Sequence, residues 1–265
     1  MSHSKNSSDL KNLFQSAAKD GIISSQTSSI LTGDLGAMVI AGAAGTSMDD
    51  IVASDVTLMT ILVDKSSSIG YSKLAASVRD GYNSLLDAVS SSREKDSILT
   101  ALWTFNSSAA VVHAYVPIQD AQRLDRFNYQ PSGSTALFDT WCDALAANVA
   151  YAQRLRDGGT PCRSVVVIIT DGEDTASRRH AADCERLSRD LLRSEQFVLA
   201  FVGVGSEASF KRIAGSMGIP KGSVHVQTQV QATAIRQTFQ LVSQSAIRAS
   251  QGKILPGPQA GFFQP

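Results

Sequence analysis

Two unbroken apolar runs, each ending on an aspartate, constrain this chain more than any other feature. Residues 56–63 (VTLMTILV) lead into Asp64, and residues 164–170 (SVVVIIT) lead into Asp171. Neither run alternates apolar with polar residues. Both therefore read as strands buried on two faces, the pattern of a parallel sheet covered by helices on each side. Ligands of such open α/β sheets collect at the carboxyl ends of the strands. Two carboxylates brought together there repel one another and resist ionisation unless a cation compensates them. The runs thus point to a fold class and to a hard-cation site.

The rest of the chain supplies the partners of these strands. Leu74, Val78, Tyr82, Leu85 and Val89 recur at helical spacing, as do Leu137, Trp141, Leu145 and Val149, then Cys184, Leu187 and Leu191. Residues 98–105 and 109–115 flank Asn106-Ser107-Ser108 and read as a hairpin, giving the sheet one antiparallel edge strand. A strand over 197–204, a short helix marked by Phe210, Ile213 and Met217, a last strand at Val224 and Val226, and a closing helix on Ile235, Phe239, Val242 and Ala246 complete the alternation. The expected fold is α/β: a doubly wound, mostly parallel sheet with helices on both faces, spanning residues 55–250.

Two segments lie outside it. Residues 1–54 are rich in Ser and Gly. They begin with a helix that Ser7 or Ser8 can cap, whose stripe is Leu10, Leu13, Phe14 and Ala17 and which Gly21 can end. Residues 22–53 fit either a second short helix or strands packed on the main domain. Residues 251–265 (QGKILPGPQAGFFQP) read as a Pro- and Gly-rich tail without regular structure. Phe262 and Phe263 either pack back on the domain or dock a partner or a neighbouring copy, so self-association through the tail is one expectation.

Charge narrows the partners. With 24 basic and 24 acidic residues the formal net charge is zero, which argues against a nucleic-acid or membrane-surface binder. The most apolar early stretch, residues 36–45 (GAMVIAGAAG), falls short of the roughly 20 residues a membrane span needs. The polar first residues lack a signal-peptide core, and the cysteine count is odd; both favour a cytoplasmic setting. Cys142, Cys162 and Cys184 have no zinc-type spacing and read as buried reduced thiols.

The chemistry lies in three loops. Asp64-x-Ser66-x-Ser68 sits where a strand gives way to a loop and a helix, so one turn can aim a carboxylate and two hydroxyls at one point. Residues 131–136 (PSGSTA) form a flexible loop before a helix and deliver a third hydroxyl, Thr135, with Gly133 allowing close backbone approach. Asp171-Gly172 brings the second carboxylate. An all-oxygen set of this kind suits magnesium, manganese or calcium rather than copper or structural zinc.

These residues resemble the von Willebrand factor A domain family with its metal-ion-dependent adhesion site. The family's Asp-x-Ser-x-Ser matches Asp64, Ser66 and Ser68, its loop threonine matches Thr135, and its later aspartate matches Asp171 in ITDGEDTAS. The resemblance implies a Rossmann-like fold and a divalent cation, usually Mg²⁺. The two serines and the threonine would hold it, with one or both aspartates acting partly through water. It also implies one open coordination position, filled by an Asp or Glu of a partner protein. The implied function is an intracellular, metal-dependent protein–protein interaction module rather than an enzyme.

Two other readings stay open. Haloacid-dehalogenase-type phosphohydrolases also place an aspartate after an apolar strand, and Asp171-Gly172-Glu173-Asp174 imitates their magnesium segment. The general-acid aspartate they need two residues after the nucleophile is here Ser66. The chain could also be a structural subunit of a larger assembly, an idea suggested by its N-terminal region and Phe-Phe tail. Glu173 and Asp174 read as solvated loop charges, and residues 177–180 (SRRH) as a solvated helix face.

Overall fold

A computed structural model describes residues 2–33, 35–259 and 261–264, with side chains from residue 7 onward. Six strands form one sheet in the order β3-β2-β1-β4-β5-β6. They are β1 (Val56–Asp64), β2 (Ile98–Phe105), β3 (Ala109–Pro117), β4 (Cys162–Thr170), β5 (Phe197–Val204) and β6 (Val224–Gln227). β1 runs parallel to both β2 and β4, β5 parallel to β4 and β6, and only the edge strand β3 is antiparallel. The expected architecture is the observed one.

Alternation of side chains along β1 feeds two separate cores. Leu58 and Leu62 face one core, shared with α6 (Leu137–Asp157), α7 (Ala181–Arg193) and α8 (Glu207–Ser216). Met59, Ile61 and Val63 face the other, shared with α5 (Ala75–Ser90) and α9 (Ala232–Ser250). α4 (Ser67–Tyr71) is the short turn of helix that leaves the end of β1. The chain leaves β1 for β2 on one side and returns to β4 on the other. The strand order therefore reverses between β1 and β4, which opens a crevice above their carboxyl ends.

The N-terminal region joins the first core. Its helices are α1 (Ser2–Lys19), α2 (Ser25–Gly33) and α3 (Ala37–Gly42). Leu10, Leu13, Phe14, Leu31 and Val39 pack into the cluster that holds Trp141 and Tyr151. The first helix starts earlier than its expected serine cap: Ser7 and Ser8 lie within α1, because residues 2–6 contain no Gly or Pro to stop a helix. Gly21 ends it with a left-handed φ of 74°. Among the described residues of the ambiguous stretch after it, α2 and α3 are the regular elements apart from one 3-10 turn, and strand-like pairing is limited to one bridge between Gly45 and Tyr115. Thr46 N–H also donates to the Tyr115 carbonyl at 2.8 Å, so this segment covers part of the β3 edge.

The opposite edge is treated similarly. Of the two readings of the tail, the structure takes the first. Phe262 is fully buried in the second core, and its N–H donates to Ser223 Oγ at 3.2 Å. Phe263 stacks at a tilt on His225 of β6, with ring centroids 5.6 Å apart. Self-association through these rings would first have to pull Phe262 from the core.

A buried polar network ties the layers together. Thr60 of β1 and Tyr115 of β3 share a hydroxyl–hydroxyl bond of 2.6 Å. Asn148 of α6 donates to Tyr115 Oη at 2.8 Å and accepts from Ser164 Oγ of β4 at 2.6 Å. Every polar atom named here has its partner, so the network fixes how α6 sits on the sheet. Phe262→Ala is expected to destabilise the protein by about 3–5 kcal/mol, the usual cost of emptying a buried phenylalanine site, read as a lower urea midpoint. An unchanged midpoint would mean that the tail contributes nothing to the core.

Candidate metal centre

The three loops meet in the crevice between β1 and β4 and are stitched together by backbone bonds. Ser67 N–H donates to the Gly133 carbonyl at 3.0 Å, Ser132 N–H to Lys65 at 2.8 Å, and Ala136 N–H to Asn106 at 2.6 Å. Thr175 N–H reaches the Thr135 carbonyl at 2.8 Å, and Thr135 N–H returns a bond to Thr175 Oγ1 at 3.0 Å. Gly133 has a φ of +76°, and a β-carbon there would lie 2.7 Å from Ser107 Oγ. Only glycine allows the loop this approach.

All five expected residues come together. Ser66 Oγ and Ser68 Oγ are 2.9 Å apart, and Ser68 Oγ donates to Asp171 Oδ1 at 2.6 Å. A β-carbon built on Gly172 would sit 3.1 Å from Thr135 Oγ1, 3.8 Å from Ser68 Oγ and 3.9 Å from Asp64 Oδ2. Gly172 thus leaves open a small space walled by oxygens from all three loops. Among the described residues no three His, Cys, Asp or Glu side chains converge as a metal cluster. The donor set here is instead two carboxylates and three hydroxyls, which fits a hard divalent cation and offers nothing to a soft one.

The electrostatics also fit. Asp64 is 1 % exposed, and burial pushes its carboxyl up from an ordinary 3.8 to about 6. Hydrogen bonds from Thr170 and Ser66 work against that rise, while the charge of Asp171 adds to it. Burial raises Asp171 as well, opposed by the Ser68 bond. Neither aspartate forms an ion pair with a basic side chain among the described residues. Two desolvated carboxylates of this kind are the chemistry that a divalent cation would compensate.

Sequence reasoning missed the residues that aim these ligands. Thr170 Oγ1 donates to Asp64 Oδ2 at 2.5 Å and accepts from Gly172 N–H at 3.1 Å. The buried Tyr129 hydroxyl donates to the Asp64 carbonyl. Asp174 is not a free loop charge: it accepts from Leu137 N–H at 2.8 Å, capping α6 just after Thr135, and from Ser177 Oγ at 2.5 Å. The expected solvated helix face at 177–180 is a loop. Asp139 accepts from the N–H groups of Arg178 and Arg179 at 3.0 Å, and Arg179 pairs with Asp143 at 2.8 Å. Glu173 is exposed as expected, 3.7 Å from Arg212. One signal for Thr170 was present, a polar residue closing an otherwise apolar strand. None marked Tyr129.

The raised Asp64 carboxyl makes a pH prediction for protein held in chelator. The folded state holds this proton more tightly than the unfolded chain. The contribution is therefore present below about pH 4 and is lost as pH rises through about 6. A shift of this size corresponds to ~3 kcal/mol. Wild type is expected to lose about that much stability between roughly pH 4 and pH 7 relative to Asp64→Asn, measured by paired urea titrations. Parallel pH profiles would show that Asp64 is not desolvated.

Comparison with known proteins agrees with this fold. The model of the von Willebrand factor type A domain matches residues 59–241. A search of curated proteins finds no match. Among solved structures, the PilB minor pilin from Streptococcus sanguinis superposes with a TM-score of 0.51 at 12 % identity, over 76 % of this chain and 63 % of that one. The pilus adhesin SpaC from Lactobacillus rhamnosus GG gives 0.56 at 11 % identity, over 74 % of this chain and 30 % of that one. The chain thus spans less than two thirds of either neighbour, and at such identities the likeness is one of fold. With the family model covering more than half of its length, the chain belongs to the von Willebrand factor type A domain family.

Proposed function

We propose that this protein is a non-catalytic binding module that engages an acidic residue of a protein partner through a divalent cation, Mg²⁺ or in its place Mn²⁺ or Ca²⁺. Asp64, Ser66, Ser68, Thr135 and Asp171 would hold the ion. The observation that carries the reading is the oxygen-walled space beside Gly172, with two desolvated carboxylates and, among the described residues, no basic partner. Once bound, the cation supplies a Lewis-acidic position for a carboxylate from outside. The chain's own residues do the rest. Thr170 and Tyr129 fix Asp64, and Asp174 anchors the start of α6 so that Thr135 keeps its place.

The surface around this space suits a protein. Tyr71, three residues after Ser68, is 86 % exposed. A cavity of about 440 Å³ next to Thr135 is lined by Met38, Ser107, Ala136, Asp139 and Arg178. Arg178 is exposed there and offers a cation to a second acidic group. A hydrolase reading is weaker because Ser66 stands where a general acid would be required, its hydroxyl engaged with Ser68.

Calorimetry with Mg²⁺ is expected to give one site in wild type and a loss of at least about tenfold in affinity for Asp64→Ala and Asp171→Ala. Equal binding by these variants would misplace the site. Thr135→Ala should weaken partner binding without unfolding the protein, since its stitching bonds run through the backbone. A purified partner that binds equally well in chelator and to Thr135→Ala would sink the proposal. Arg178→Glu should slow association at low salt while leaving Mg²⁺ affinity unchanged. Metal-dependent phosphate-ester turnover that vanishes in Asp64→Asn would favour the hydrolase instead.

A further inference from the structure

We infer that Cys142 and Cys184 form a redox-modifiable dithiol that a peroxide-class oxidant closes into an intramolecular disulfide between α6 and α7. This rests on observations separate from the metal centre. The two sulfurs lie 3.6 Å apart, from positions 42 residues apart in the chain. Closing them to a bond of about 2.05 Å needs a movement of only ~1.5 Å shared between two side chains. Cys162 is a built-in control. It is also buried, but its thiol donates to the Ala152 carbonyl at 3.4 Å, and no other cysteine is paired with it among the described residues.

Access is asymmetric in a useful way. Cys142 lines a cavity of about 210 Å³ under α2, together with Thr27, Leu31, Arg179, Asp183 and Leu187. Cys184 is fully buried behind it. The hydrogen bond with Cys142, and then burial, raise the Cys184 thiol, while the Arg179 guanidinium works against the rise. The oxidant therefore reaches Cys142 first and Cys184 resolves. In the first step Cys142 gives up its thiol proton and its sulfur attacks a peroxide oxygen; an S–O bond forms, the O–O bond breaks, and the departing hydroxide takes up that proton and leaves as water. In the second, Cys184 attacks the Cys142 sulfur; an S–S bond forms, the S–O bond breaks, and a second water leaves with the Cys184 proton. Two thiols are oxidised by two electrons, and one hydrogen peroxide is reduced to two waters.

The bridge would tie α7 to the helix whose first turn follows Thr135 and receives the Asp174 cap. The test treats folded full-length protein with hydrogen peroxide, blocks remaining thiols, and maps peptides by mass spectrometry. The expected result is loss of two hydrogens from the monomer, a single Cys142–Cys184 cross-link, Cys162 still free, and a higher urea midpoint that reductant reverses. Cys142→Ser and Cys184→Ser should each give no intramolecular cross-link. The wild-type map stands alone if a variant misfolds. Three free thiols after treatment, a link through Cys162, or only inter-chain disulfides would overturn the inference.

Discussion

The top of this molecule is organised around two desolvated carboxylates. Asp64 and Asp171 sit at the ends of neighbouring buried strands, where desolvation opposes ionisation of both. Each nearby feature eases that opposition or holds its geometry. Ser66 N–H, Thr170 and Ser68 give hydrogen bonds to the carboxylates. Tyr129 fixes the Asp64 backbone from below. Gly172 withholds a β-carbon from the point where the oxygens face one another. The arrangement is affordable because the sheet beneath is rigid and both strands are clamped by neighbours on either side.

That rigidity depends on groups far from the site. The network of Thr60, Tyr115, Asn148 and Ser164 is polar yet buried, and it locks α6 to three strands. Since α6 begins immediately after Thr135, an error in its seating would be carried into the ligand loop. A second clasp acts at the other end of the helix. There Gln153 Nε2 donates to Asp20 Oδ2 at 2.6 Å and to Asp157 Oδ1 at 2.8 Å. The N-terminal helices thus steady the same helix that carries the site. The N-terminal segment also covers part of the β3 edge at Tyr115, and the tail packs beside β6 at Ser223 and His225.

The sheet was readable because burial on two faces leaves unbroken apolar runs, and the helices because their apolar stripes repeat at helical spacing. The ligand set was readable because oxygen donors cluster at the ends of those runs. The supporting residues were not. Tyr129 lies in a long irregular segment, and its role follows from a crossing of chains rather than from any local pattern. Asp174 looks like one of several acids in a polar loop. It becomes a helix cap only because the start of α6 at Leu137 folds against it, 37 residues away in sequence. The helicity of residues 25–33 and 37–42 was hidden for a similar reason: short segments with weak periodicity take their conformation from the surface they cover.

The sequence by itself determined the alternation of strands and helices, the antiparallel hairpin at one edge, and which oxygen-bearing side chains stand at the strand ends. Those are consequences of local periodicity and of residue type, which any stretch carries with it. The tertiary structure alone decided that the strand order reverses between β1 and β4, so that three loops share one crevice, and that Phe262 belongs to the core. It also decided that Cys142 and Cys184 meet across two helices. Such outcomes depend on which distant surfaces bury one another, a competition among contacts that no single segment encodes.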